Sequence, residues 1–164
     1  FREYSSLIVG TSYRVTGSSD DAEDVLQTVF MRLLRRWETI DLSSNPGAYL
    51  RRAAVNASLD LLRARTRAAA VPLDDASYEI EETSEASPEQ QRLDAEMRGR
   101  LRRAMLGLSD KSAQVFALRY LEEVDNKDIA RQLGMSQTAV AVMLHRARHK
   151  VRGELGEFLG GMES

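Results

Sequence analysis

From Ala22 to Trp37 the apolar residues recur at a helical period. Ala22, Val25, Leu26, Val29, Phe30, Leu33, Leu34 and Trp37 fall at i, i+3, i+4, i+7 and i+8, which gathers them into one buried stripe of a helix. No stretch of any length alternates apolar and polar residues as a half-buried strand does. The pattern therefore predicts an all-α fold. Asp20 followed by Glu23 predicts a capping box at the start of this helix. A preceding helix is expected from about Phe1 to Val15, with Leu7 and Ile8 inward, broken by Thr16-Gly17-Ser18-Ser19. The polar run 41–47, DLSSNPG, is a loop ending in a Pro-Gly turn signal. A third helix follows from about Gly47 to Arg67, rich in good helix formers.

Charge divides the chain. Residues 1–70 carry 10 cations against 8 carboxylates, and residues 92–164 carry 13 against 10. Between them, 71–91 carry 7 carboxylates and no cation. The net charge of −2 hides two weakly basic blocks behind an acidic bridge. Residues 71–88 also lack helical periodicity and hold Pro72 and Pro88, so an acidic flexible linker is expected there. Two small helical domains follow, 1–70 and 89–164.

In the second block a helix is expected from Glu89 to Leu106, ended by Gly107. Ser109 or Asp110 caps the next, which carries Ala113, Phe116, Ala117, Tyr120 and Leu121. Residues 126–147 then fit a helix-turn-helix. Ile129 and Leu133 face inward, Ala130 lets the helices touch, and Gly134 accepts a left-handed turn. Ser136 is the natural N-cap of a long final helix, Gln137 to Phe158, with Met135, Val140, Met143 or Leu144, and Ala147 inward. In such a motif Gln137, Thr138, Ala141 and Val142 face base edges in the major groove, while Arg146, Arg148, His149, Lys150 and Arg152 suit phosphates. A solvated face is the plain alternative for each of those cations.

Several function classes drop out. Absence of cysteine excludes disulfides and thiolate zinc sites and fits a reducing cytosol. His145 and His149 have zincin-like spacing, but no Glu stands beside the first and no third ligand is evident, so no metal is expected. No catalytic constellation or Gly-rich phosphate loop is present, so no catalytic residues and no cofactor are expected. No run of 18 apolar residues predicts a membrane span. The chain starts at Phe1 and not Met, so a native N-terminus is expected upstream, and no signal peptide is visible.

Two further faces carry information. Asp24, Gln27, Thr28, Met31 and Arg35 repeat along the other side of the 21–37 helix, where an exposed Met among polar groups suggests a protein-contact surface. The third helix carries Tyr49, Arg51, Arg52, Asn56, Asp60, Arg63, Arg65 and Arg67, a set able to track a single nucleic-acid strand by phosphate contact and stacking.

Three stretches in order, DAEDVLQTVFMRLLRRW (21–37), GAYLRRAAVNASLDLLRAR (47–65) and LSDKSAQVFALRYLEEVDNKDIARQLGMSQTAVAVMLHRARHKVR (108–152), resemble the extracytoplasmic-function (group 4) sigma factors of the sigma-70 family. The resemblance implies a transcription-initiation subunit of bacterial RNA polymerase, cytoplasmic and not an enzyme. The first block would be a sigma-2 domain, docking on the polymerase clamp helices through Asp24, Gln27, Thr28, Met31 and Arg35. Ser44, Asn45, Tyr49, Arg52, Asn56 and Arg63 would melt and hold the −10 element, because a flipped base exposes its whole edge to a pocket. The second block would be a sigma-4 domain reading the −35 element through Ser136, Gln137, Thr138, Ala141, Val142, Arg146, Arg148 and Lys150. The family usually has Glu where Thr28 stands, and Val-Lys-Ser-Arg where Val140-Ala141-Val142-Met143 stands. Altered or weaker −35 readout through methyl contacts is expected. The implied partners are core RNA polymerase, promoter DNA and an anti-sigma factor. The competing readings are a helix-turn-helix repressor or activator that binds DNA without polymerase, and a sigma-like interaction module whose Ala141-Val142-Met143 face binds protein.

Overall fold

The structure, a computed structural model, describes residues 2–42, 44–69 and 85–163. Those residues form seven helices and no strand. The first domain holds α1 (Arg2–Thr16), α2 (Ser19–Arg35) and α3 (Pro46–Ala69). The second holds α4 (Pro88–Leu106), α5 (Asp110–Tyr120), α6 (Asn126–Leu133) and α7 (Gln137–Glu163). Residues 71–84 of the expected linker lie outside the described residues. Its last residues already belong to the second domain. The Ser87 hydroxyl accepts from Gln90 N, and Pro88 opens α4, where its missing N–H costs nothing.

Local chemistry sets the helix ends. Gly17 at φ 73° stops α1, and Ser18 caps α2 by accepting from Asp21 N at 3.3 Å. The helix therefore starts two residues before the expected Asp20–Glu23 box. Serine in an extended conformation right after the glycine break meets the orphan N–H groups first. Ser109 caps α5 and Asp125 caps α6 in the same way.

The stripe of α2 needs a correction. Ala22, Val25, Val29 and Leu33 are buried, with Leu26 and Phe30 packed partly against them, but Leu34 is 74% and Trp37 68% exposed. Eight apolar positions make a band wider than α1 and α3 can cover, and Trp37 falls beyond the end of the helix.

Helix α3 has two apolar faces and uses both. Leu50, Ala54 and Ala57 pack with Ile8, Val25, Val29 and Leu33 in the first domain. Val55, Leu59 and Leu62 instead join Val15 in one continuous core with Met105, Leu108, Phe116 and Leu118 of the second. The two domains thus bury apolar surface against each other.

Candidate nucleic-acid and polymerase interfaces

The helix-turn-helix forms as the sequence predicts. Gly134 ends α6 in the left-handed conformation, φ 64°, with nothing within 4 Å of where a Cβ would sit. The Met135 N–H returns to the Ala130 carbonyl at 2.9 Å, closing the turn. The Ser136 hydroxyl accepts from Ala139 N at 3.0 Å, so it is occupied as the N-cap of α7. Gln137, Thr138, Ala141 and Val142 all point to solvent, Val142 with 44% of its surface exposed. Arg146 is exposed as well. Arg148 donates to the Tyr120 hydroxyl at 2.7 Å, and Lys150 donates to the Gly107 carbonyl at 2.8 Å at the end of α4. These two cations brace the domain in addition to any phosphate they meet.

On the first domain, the Asn45 side-chain carbonyl accepts from Ala48 N at 3.0 Å, which starts α3. Tyr49 follows, with the Arg52 guanidinium 5.8 Å from its ring centroid, within cation–π range. A cavity of about 190 Å³ opens between α2 and α3. Tyr49, Arg52 and Asn56 line it from α3, and Arg32 and Arg36 from α2 and its C-cap. The sequence reading missed these two arginines, although their i, i+4 spacing places them on one helix side. Arg63 does not converge on this cavity. It lies 3.3 Å from Asp110 of α5 and lines a separate cleft of about 440 Å³. Arg65 is likewise committed, gripping the buried Asp21 with both terminal guanidinium nitrogens. That hydrogen bond raises the pKa of Arg65 above its ordinary value, against the opposite pull of burial.

The α2 face is open. Asp24, Gln27, Met31 and Arg35 are exposed, and the half-buried Thr28 donates its hydroxyl to the Asp24 carbonyl at 3.0 Å. Met31, Leu34 and Trp37 are all exposed, whereas the helical period alone places the last two in the core.

The domains are pinned by polar contacts that no local pattern announces. Glu122, in the turn after α5, has a side chain only 1% exposed. It accepts from Arg14 Nε at 2.8 Å and from the Thr11 hydroxyl at 2.9 Å, and lies 3.4 Å from Arg51. The next residue, Glu123, sits at φ 56°, a conformation that costs a non-glycine residue roughly 1–2 kcal/mol. Arg102 of α4 is buried and donates to the Val15 carbonyl at 3.0 Å. Arg52 donates to the Gln132 carbonyl of α6. A Cβ on Gly17 would come within 2.2 Å of the Arg102 guanidinium, so this glycine provides both its turn and the close approach. The hydrogen bond to Glu122 raises the pKa of Arg14 while burial pulls it down. A cation whose pKa rises on folding adds stability below its ordinary value and loses it only as pH climbs through the raised one. For arginine that window lies in strong alkali, so salt and not pH is the lever on this contact.

Comparison with known proteins agrees with both halves of the chain. Residues 1–68 match the family model Sigma-70 region 2, and residues 98–151 match Sigma-70, region 4. The RNA polymerase sigma-E factor of Streptomyces coelicolor is 32% identical over 159 residues, covering 94% of this chain and 85% of that protein. The chain belongs to the extracytoplasmic-function group of the sigma-70 family. The sigma-E factor of Streptomyces antibioticus is 36% identical over 136 residues, covering 82% and 71%. The ECF sigma factor SigW of Bacillus subtilis is 25% identical over 93% of this chain and 84% of its own. Among solved structures, the sigma factor RpoE of Bartonella quintana, in complex with the anti-sigma factor NepR, superposes with a TM-score of 0.55 at 19% identity over 94% of this chain and 92% of that one. That likeness supports the all-α, two-domain fold. As a sigma factor the chain serves transcription initiation, joining core RNA polymerase and directing it to promoters. Sigma factors are regulators of initiation and not classical enzymes. No described helix is long and apolar enough to cross a membrane.

Proposed function

We propose that this sigma factor divides its work between residues 1–70 and 89–164 as follows. The α2 face, Asp24, Gln27, Thr28, Met31 and Arg35, docks on core polymerase, with Leu34 and Trp37 extending the contact. The loop before α3 and the first turns of α3 hold the melted −10 strand. Ser44 and Asn45 meet its backbone, Tyr49 stacks on a base, and Arg52 and Asn56 meet the edge of a base turned into the cavity beside Arg32 and Arg36. The convergence of one aromatic, one amide and three guanidiniums on a single small cavity carries this reading. Arg63 acts from a distance, as a phosphate contact freed when its pair with Asp110 opens.

The exposed N-terminal turns of α7 enter the −35 major groove. Gln137 is suited to adenine, and Ala141 and Val142 to thymine methyls. With no cation among 140–143, affinity there rests on Arg146, Arg148 and Lys150 at the phosphates. The protein works in the cytoplasm without catalysis or cofactor, and an anti-sigma factor is its expected regulator. The fold neighbour crystallised with such a partner supports that expectation.

Run-off transcription on a promoter library with purified core polymerase tests the assignment. Discrete starts that depend on this chain and vanish in Tyr49→Ala support it. Binding to core without any start favours the interaction-module reading, to which the exposed Val142 lends itself.

A further inference from the structure

Among the described residues, the second domain leaves two large apolar side chains exposed, Tyr120 and Val142. Tyr120 is accounted for. Its hydroxyl accepts from Arg148, and its ring centroid lies 4.8 Å from that of Phe116. Val142 has no such partner on its outer side of α7, where 44% of its surface meets water. A β-branched residue there is a poorer helix former than alanine and gains nothing from burial. Stability gives no reason for a valine at this position.

The neighbouring residues share its chemistry. Thr138, Ala141 and Val142 fall at i, i+3 and i+4 and are all exposed. Threonine and alanine bring one methyl each, and valine brings two. No residue from Ser136 to Leu144 is charged. The buried Val140, Leu144 and Ala147 hold the opposite side of the helix inward, so these methyls are fixed outward. Valine has one strongly preferred χ1 rotamer in a helix, so contact costs it little side-chain freedom. Thr138 to Val142 rise about 6 Å along the helix, roughly two base-pair steps. One group on the major-groove base edges matches an uncharged methyl surface, the C5 methyl of a pyrimidine. Thymine carries it, and 5-methylcytosine carries the same methyl at the same ring position. Uracil and cytosine lack it.

We infer that this sigma factor reads C5 methyls at the −35 element through Val142, with Ala141 and Thr138 beside it, so that 5-methylcytosine stands in for thymine there. Methylating a cytosine at that position then strengthens binding. The exposed Gln137 does not reject the exchange. Its amide pairs with adenine N6 and N7 opposite thymine, and its NH2 group donates to guanine O6 or N7 opposite 5-methylcytosine.

This inference rests on the −35 assignment of α7, and one experiment separates the two. Holoenzyme is assembled from core polymerase and the full chain. The probe is a duplex promoter recovered in the run-off screen, altered only in its upstream element and read by competition binding. Uracil in place of thymine removes the methyl without changing the pairing. A C·G pair in place of T·A, with and without a C5 methyl on the cytosine, restores the methyl on a different pair. Burying one methyl changes affinity about fourfold. Wild-type holoenzyme should bind the thymine duplex about fourfold more tightly than the uracil duplex for each methyl met. It should prefer the 5-methylcytosine duplex over the cytosine duplex by the same factor. Val142→Ala, which favours the helix, should lose most of both preferences. Equal binding with and without the methyl overturns the inference. So does a methyl preference that Val142→Ala leaves intact, because the methyl is then read elsewhere. Gln137→Ala with Arg146→Ala tests the assignment beneath it. Weaker binding in that double variant keeps α7 in the groove, and unchanged binding overturns both the assignment and the inference.

Discussion

Helix α7 presents Gln137, Thr138, Ala141 and Val142 to open solvent, whereas α3 presents Tyr49 and Arg52 to the acidic corner of its own second domain. The first surface is finished by local chemistry: a left-handed glycine, a serine cap and a buried seam of Val140, Leu144 and Ala147. The second is governed by contacts across more than a hundred residues of sequence, with Arg14 and Thr11 meeting Glu122. A face built locally is always available. A face whose surroundings are set by a distant partner changes when that partner moves, and here the partner is part of the same chain.

The largest expected effect comes from the apolar seam beneath the polar contacts. Leu59→Ala removes a buried side chain from the core shared by both domains and should cost about 2–5 kcal/mol in urea denaturation. It should also split one transition into two, while Ile8→Ala, confined to the first-domain cluster, should keep a single transition at lower urea. A single unchanged transition for Leu59→Ala would deny the shared core.

Glu122→Ala should cost about 2 kcal/mol. That is less than the 3–5 kcal/mol of a fully buried pair, because Arg14 is half exposed and can return to water. The loss should shrink in high salt. A salt-independent loss would mean that packing and not charge holds the corner.

The two left-handed glycines sharpen the contrast. Gly134→Ala meets open space and should cost only its backbone penalty, roughly 1–2 kcal/mol. Gly17→Ala bears the same penalty and must also displace Arg102 from the Val15 carbonyl, so it should cost more and loosen the domain contact. Equal costs in denaturation would show that Arg102 contributes nothing to closure.

The smallest effect on stability belongs to the open face. Val142→Lys should shift folding by less than about 0.5 kcal/mol. It should nevertheless steepen the salt dependence of duplex binding by about one phosphate contact. An unchanged slope would place Val142 outside the groove.

How much of this was legible in the sequence follows the same divide. Gly134, Ser136 and the bounds of α6 were readable because each rests on neighbours within a turn. The cap of α2 was misplaced by two residues because Ser18 and Asp20 both carry capping chemistry, and only the break at Gly17 decides between them. Leu34 and Trp37 were assigned to the core because periodicity says which residues share a face, not whether anything covers it. Arg63 and Arg65 looked like free cations, yet their partners, Asp110 and Asp21, lie more than forty residues away. Glu122 carried no signal at all, since an acidic pair in a turn looks like any solvated corner. Most of the fold was therefore written locally, whereas the contacts across the α3 face were not.

Pulsed electron–electron resonance between spin labels on Ser6→Cys in α1 and Lys127→Cys in α6, both exposed, would test the central claim most directly. The free chain should give one short, narrow distance, and the same chain bound to core polymerase a much longer one. The same short distance in both states would contradict the account, because a chain that stays closed on polymerase cannot reach both promoter elements.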